Sequence, residues 1–197
     1  MKSIAIEREF GSGGRAIGME VAKLAGIPYY DGNLLLKAAE DFGIRIDQLK
    51  EYDENKTGSI LYNIAMLTSV NRYENQLKIN EVFYGIQETI LKLEKEGPTV
   101  FIGRCSTEIL KSSTNVLRVF IYSSDVNKKT HSVMDTEQVT KSEARRLMER
   151  KDRQREKYFK FWTQEDWKDR KNYDMELNTG VLSIKECAEI LLTKMKC

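Results

Sequence analysis

The segment Glu7-Arg8-Glu9-Phe10-Gly11-Ser12-Gly13-Gly14-Arg15-Ala16-Ile17-Gly18 decides how this chain is read. It follows an apolar run at residues 3–6, whose continuous hydrophobicity predicts a short buried strand. It leads into Ile17, Val21, Leu24 and Ala25, which recur at helical spacing. Glycines between a strand and a helix let backbone N–H groups turn inward around an anion, and the helix N-terminus adds partial positive charge. Gly11, Gly13 and Gly14 supply the freedom, Ser12 a hydroxyl, and Arg15 a fixed cation able to hold a phosphate through two parallel hydrogen bonds. The bland alternative is a tight turn. The order strand, glycines, helix favours the phosphate cradle.

The loop departs from the standard pattern G-x-x-x-x-G-K-[ST]. With Gly14 at the lysine position, Arg8 replaces the first glycine and Arg15 the metal-binding hydroxyl. With Arg15 at the lysine position, Glu9 replaces the first glycine and Ala16 the hydroxyl. The lysine of the standard loop reaches the β- and γ-phosphates. Here Arg15 or Arg8 is expected to do that work.

Outward from the loop, Gly26 closes the first helix and Pro28 forbids its resumption. Residues 27–30 predict a second strand, so the chain opens with a βαβ unit. Residues 34–42 and 61–93 carry helix-period apolar positions, and 51–59 reads as a polar loop between them. This stretch, about 32–96, holds too much helix for one crossover and is expected to be a helical insertion. Gly97-Pro98 breaks it, and strands are expected at 99–102, 116–122 and 173–177. A helix begins near Ser106. Thr140 with Glu143, and Ser183 with Glu186, stand at capping-box spacing ahead of two further helices. In the last of these, Ile184, Ala188, Leu191 and Met195 form one apolar face. Short apolar strands alternating with helices predict an α/β fold: a doubly wound parallel sheet of about five strands. Ligands bind beyond the carboxyl ends of such strands. Gly11 to Arg15, Tyr30-Asp31 and Gly103-Arg104 all sit at such ends.

The chain has 197 residues, with 32 basic and 30 acidic side chains and a net charge of +2. That balance argues against nucleic acid as a partner. One histidine, His131, makes a histidine metal centre or a serine-histidine triad improbable. Cys105, Cys187 and Cys197 are too few and too dispersed for a disulfide framework, which fits a reducing, cytoplasmic setting. No apolar run approaches a membrane span and no signal peptide is visible. The sequence leaves a homodimer open.

The opening segment resembles that of the cytidylate kinase-like family, in which a similar R-E-F-G-S-G-G-R-x-I-G signature replaces the usual loop. The resemblance continues through Ile27-Pro28-Tyr29-Tyr30-Asp31, Ile102-Gly103-Arg104, Lys151-Asp152-Arg153-Gln154-Arg155 and Asn172-Tyr173-Asp174 with Asn178-Thr179. It implies a P-loop kinase fold as a single domain: core 1–31 and 97–197, the insertion, and a mobile arginine-bearing lid at about 150–168. It also implies ATP-dependent phosphorylation of a nucleoside monophosphate such as CMP.

The remaining candidates follow from that frame. Arg146, Arg150 and Arg153 lie at spacings of four and three on one helix, followed by Arg155. They are read either as a solvated face paired with Glu149, Asp152 and Glu156, or as lid arginines that neutralise a transferring phosphoryl group. We take Arg150, Arg153 and Arg155, with Arg15, as the catalytic set. Arg8, Gly11, Ser12, Gly13, Gly14 and Arg15 form the expected donor-phosphate site. The resemblance places Arg104 at the acceptor phosphate. Asp31 either binds the acceptor's ribose or base or caps a turn. The aromatic-basic run Tyr158-Phe159-Lys160-Phe161-Trp162, with Trp167, reads as a lid hinge packed on the body rather than a base-stacking platform. No second metal-holding carboxylate is evident, so Mg²⁺ is expected to be held largely by the nucleotide phosphates. Two rival functions remain open: a non-catalytic nucleotide or phosphometabolite sensor, and a nucleic-acid or protein interaction module.

Overall fold

The computed structural model of the chain describes residues 1–32 and 72–196. The expected helix at 34–42, the loop at 51–59 and the start of the helix at 61–93 lie outside the described residues. The elements are β1 (Ser3–Arg8), α1 (Gly14–Ala25), β2 (Tyr29–Tyr30), α2 (Arg72–Glu96), β3 (Val100–Ile102), α3 (Ser106–Ile109), β4 (Val116–Tyr122), α4 (Val126–Glu137), α5 (Lys141–Thr163), β5 (Met175–Asn178) and α6 (Ile184–Met195).

Five parallel strands run in the order β2-β3-β1-β4-β5. β1 is central because its residues can be dry on both sides: Ser3 to Glu7 are all buried. Ile4 and Ile6 face one layer, where Ile17 and Val21 of α1 meet Cys187, Ala188 and Leu191 of α6. The opposite layer is aromatic, with Phe120 of β4 packed against Trp167, Tyr173, Phe159 of α5 and Phe83 of α2. Helices therefore cover both faces, the doubly wound arrangement read from the sequence. Strand order reverses at β1, which pairs with β3 on one side and β4 on the other. Such a reversal opens a crevice beyond the carboxyl ends of those three strands.

Local chemistry explains the element ends. Gly26 adopts φ 67° and its amide reaches Ala22 and Lys23, closing α1. Both capping boxes form, Thr140 with Glu143 and Ser183 with Glu186. β5 starts at Met175, two residues later than expected; just before it the Asp174 carboxylate accepts hydrogen bonds from the Arg118 amide and guanidinium. α4 joins α5 through Val133, Ala144 and Met148, and Phe10 of the glycine loop packs on this third cluster. Trp162 stacks on Phe83 with ring centroids 3.8 Å apart, and Phe159 and Trp167 are fully buried. Phe159, Trp162 and Trp167 are thus packed on the body, while Lys160 and Phe161 of the same run are exposed.

Candidate active site at the glycine loop

Gly11 and Gly13 take φ values of 79° and 81°, which other residues adopt only at a cost. Gly13 caps α1 with no side-chain hydrogen bond, and Ile17 N–H to Gly13 O is the first bond of the helix. The N–H groups of Gly14, Arg15 and Ala16 therefore find no acceptor among the described residues. Ser12 is buried, and its hydroxyl donates to Glu9 O at 2.9 Å, so it closes the loop from within.

Three arginines converge beside this helix end. Arg8 ends β1, and its guanidinium lies against Gly103, where a Cβ would sit 2.1 Å from Nη1. Gly103, Arg104 and Cys105 all adopt left-handed backbone, with φ of 80°, 61° and 56°. Two such non-glycine residues in a row are strained, and the surrounding packing must hold them. The turn lays the Arg104 guanidinium against Gly32. Arg155 arrives from α5, donates from Nη1 to Arg8 O at 2.8 Å and covers the Phe10 ring at 5.4 Å.

Burial lowers the pKa of all three guanidinium groups. Arg155 falls to about 9 through burial and then through Arg8. At that value Arg155 stays charged at neutral pH. Among the described residues the main counter-charges of the three are Glu7, Asp31 and Asp152. Glu7 is buried and accepts from Trp167 Nε1 at 3.2 Å, and burial raises its pKa against the pull of Arg8. Asp152 accepts from Phe10 N–H at 2.6 Å; burial raises it, against that bond and Arg155. Arg104 Nε, Glu7 Oε1, Tyr158 OH, Ser106 Oγ and Thr107 Oγ1 are buried without a hydrogen-bond partner among the described residues. Buried polar atoms are normally satisfied, so this end of the sheet holds more polar groups and positive charge than the described residues pair. A polyanion with hydrogen-bonding groups would complement it.

The sequence profile of the cytidylate kinase-like family matches residues 3–181. The chain belongs to the cytidylate kinase-like family. None of the curated proteins compared with it matches. An uncharacterized protein from Eubacterium ventriosum ATCC 27560 is 25% identical, with a TM-score of 0.76 over 100% of this chain and 99% of that one. A shikimate kinase from Bacteroides thetaiotaomicron superposes with a TM-score of 0.55 at 14% identity, over 100% of this chain and 99% of that one. A gluconokinase from Sinorhizobium meliloti 1021 gives 0.51 at 15% identity, over 99% and 91%. These two likenesses establish the P-loop kinase fold.

In this cytidylate kinase-like protein, Arg8, Gly11, Ser12, Gly13, Gly14, Arg104 and Arg155 come together. Arg15 stands at the rim, 60% exposed, with Nε 2.9 Å from Asp31. Asp31 is thus engaged across the mouth between β2 and α1. Arg150 and Arg153 are exposed, and Arg153 lines a shallow open groove with Glu156, Lys157 and Lys160. Local spacing does not single out Glu7, Tyr158 or Lys129 as neighbours of the loop, nor does it turn Asp152 toward it. A signal for the inward face of α5 was present. Met148, Asp152, Arg155, Phe159 and Trp162 continue one stripe at steps of four, three, four and three. Extending the apolar stripe selects Arg155 over its neighbours.

Proposed function

We propose that this chain transfers the terminal phosphoryl group of ATP to a small acceptor, a nucleoside monophosphate such as CMP. The convergence of Arg8, Arg104 and Arg155 beside the uncapped start of α1 carries this reading. In it, the amides of Gly14, Arg15 and Ala16 receive the donor phosphates. Arg104 holds the acceptor phosphate, and Arg8 and Arg155 neutralise the charge on the moving group. Arg15 reaches the donor phosphates by leaving Asp31, and Arg150 and Arg153 close from the lid. An acceptor phosphate oxygen is already ionised, so the reaction needs no general base. Catalysis is then a matter of position and electrostatics.

Among the described residues no group of three or more His, Cys, Asp or Glu could hold a metal ion. The loop carboxylates are already engaged: Glu9 with Lys129, Asp31 with Arg15, and Asp152 with the Phe10 amide. In this reading Mg²⁺ enters on the nucleotide phosphates, where it screens their charge. No described helix is long and apolar enough to cross a membrane, in keeping with a cytoplasmic enzyme acting on soluble nucleotides.

The test is ADP release, measured by a coupled assay with ATP, Mg²⁺ and a panel of nucleoside monophosphates. We expect turnover with at least one pyrimidine monophosphate, lost in Arg104→Met and Arg155→Met. ATP binding by calorimetry with no turnover on any acceptor would favour the second reading, a nucleotide sensor on the same fold. That reading draws on the missing loop lysine and on the engagement of the Ser12 hydroxyl by Glu9.

A further inference from the structure

Glu9 brings a negative charge to a loop built for anions. Left alone, its carboxylate would repel an incoming phosphate. Its Oε2 instead accepts from Lys129 Nζ at 2.8 Å and from the Ser123 amide at 3.3 Å. Lys129 comes from the second turn of α4, and the residue is only 8% exposed. Its stem runs against the loop: a Cβ on Gly11 would meet Lys129 Cγ at 2.9 Å and Lys129 O at 3.1 Å. α4 is anchored there, with Asp125 capping its first turn and Val133 packed against the α5 residues that face Phe10. The ammonium also lies within electrostatic reach of Asp152, whose own amide partner is Phe10. A buried, positioned lysine thus sits at a loop whose sequence offers none, while Arg15 faces the opposite rim toward Asp31.

We propose that Lys129 is a donor-phosphate cation of this site, supplied from α4 in place of the lysine that the glycine loop lacks. An ammonium has three donors, so it can keep Glu9 with one and give another to a terminal phosphate oxygen of a bound nucleoside triphosphate. Glu9 is then a positioning residue that holds the lysine at the loop. The inference rests on the triphosphate-binding part of the proposed function and adds a residue to it.

Isothermal calorimetry with ATP, and with inorganic tripolyphosphate as a probe free of base and ribose, tests it in four proteins: wild type, Glu9→Gln, Lys129→Met and Glu9→Gln/Lys129→Met. The double variant matters because Lys129→Met alone strands a part-buried carboxylate. We expect Lys129→Met to weaken both ligands roughly 10- to 100-fold, the range of one charge-assisted hydrogen bond. The double variant should be equally weak, Glu9→Gln no weaker than wild type, and CMP binding unaltered throughout. Wild-type affinity in the double variant would overturn the proposal, because Lys129 would then serve only to neutralise Glu9. Unchanged affinity in Lys129→Met would overturn it as well. A wild-type protein that binds neither triphosphate would instead overturn the proposed function, and this inference with it.

Discussion

A methyl group at Gly14 would sit 2.6 Å from Arg8 Cβ and 2.9 Å from its Cγ. Propensity alone favours the change, since alanine gains about 1 kcal/mol over glycine inside a helix. Overpacking a closed site costs about 1–3 kcal/mol, and here the atoms that must yield place the Arg8 guanidinium. We expect Gly14→Ala to lower stability and to abolish triphosphate binding. Gly26→Ala is the control. Its Cβ meets nothing within 4 Å, and only its φ of 67° resists, at about 1 kcal/mol. Thermal melts with calorimetry should show similar losses of stability in the two variants but lost binding in Gly14→Ala alone. Equal binding by both would mean that the Arg8 stem does not set the site. The same contrast separates Gly103, whose absent Cβ makes room for the Arg8 guanidinium, from Gly97, which has open space around it.

At the scale of elements, the edge strand β5 shows how a short strand is held. Its Leu177 reaches the core, while the Asp174 carboxylate before it takes the Arg118 amide at 2.8 Å and the guanidinium at 2.6 Å. Burial pulls the Asp174 pKa up, but the Arg118 hydrogen bonds outweigh it and hold the carboxyl below its ordinary 3.8. A depressed carboxyl contributes stability above its unfolded value and loses it as pH falls through the folded one. The wild type should therefore lose this contribution below about pH 3.8. Both side chains are partly solvated, so solvent screening limits it to at most about 1 kcal/mol. Asp174→Asn should lie below the wild type by that amount at pH 7 and converge with it in acid, in urea melts across pH 2–7. Parallel curves over that range would refute the pairing as the cause.

For the whole molecule, the crevice is an imbalance of charge held in place by the fold. Arg155 illustrates it. With its folded pKa at about 9, well below the ordinary value of a guanidinium, the unfolded chain binds that proton more tightly. Stability from this group rises with pH between those values, and at pH 7 its charged, buried state costs stability. A bound anion offsets that cost. Pyrophosphate at 100 times its Kd should add about 2.7 kcal/mol, a rise in Tm of roughly 5–10 °C for a chain of this size. The gain should shrink with added salt, as exposed parts of the interaction are screened. Arg155→Met should lose most of it; an undiminished gain in that variant would remove Arg155 from the site.

Much of this was legible in the sequence because it is local. Hydrophobic runs place four of the strands to within two residues, and Val116–Tyr122 without error, because its β-branched and aromatic residues suit a pleated, largely covered surface even with Arg118 among them. Gly26, both capping boxes and the glycine loop follow from bonding within a few residues. The arginines were visible as charges, but their direction was not. Spacing groups Arg146, Arg150 and Arg153, whereas the packing of Met148, Phe159 and Trp162 turns Arg155 inward. Lys129 and Glu9 lie 120 positions apart, so no local pattern joins them. The sequence by itself determined the sheet, its helices and a glycine loop at the carboxyl end of β1. Only the tertiary structure decided which cations stand at that loop, because burial and charge pairing depend on neighbours brought together by packing.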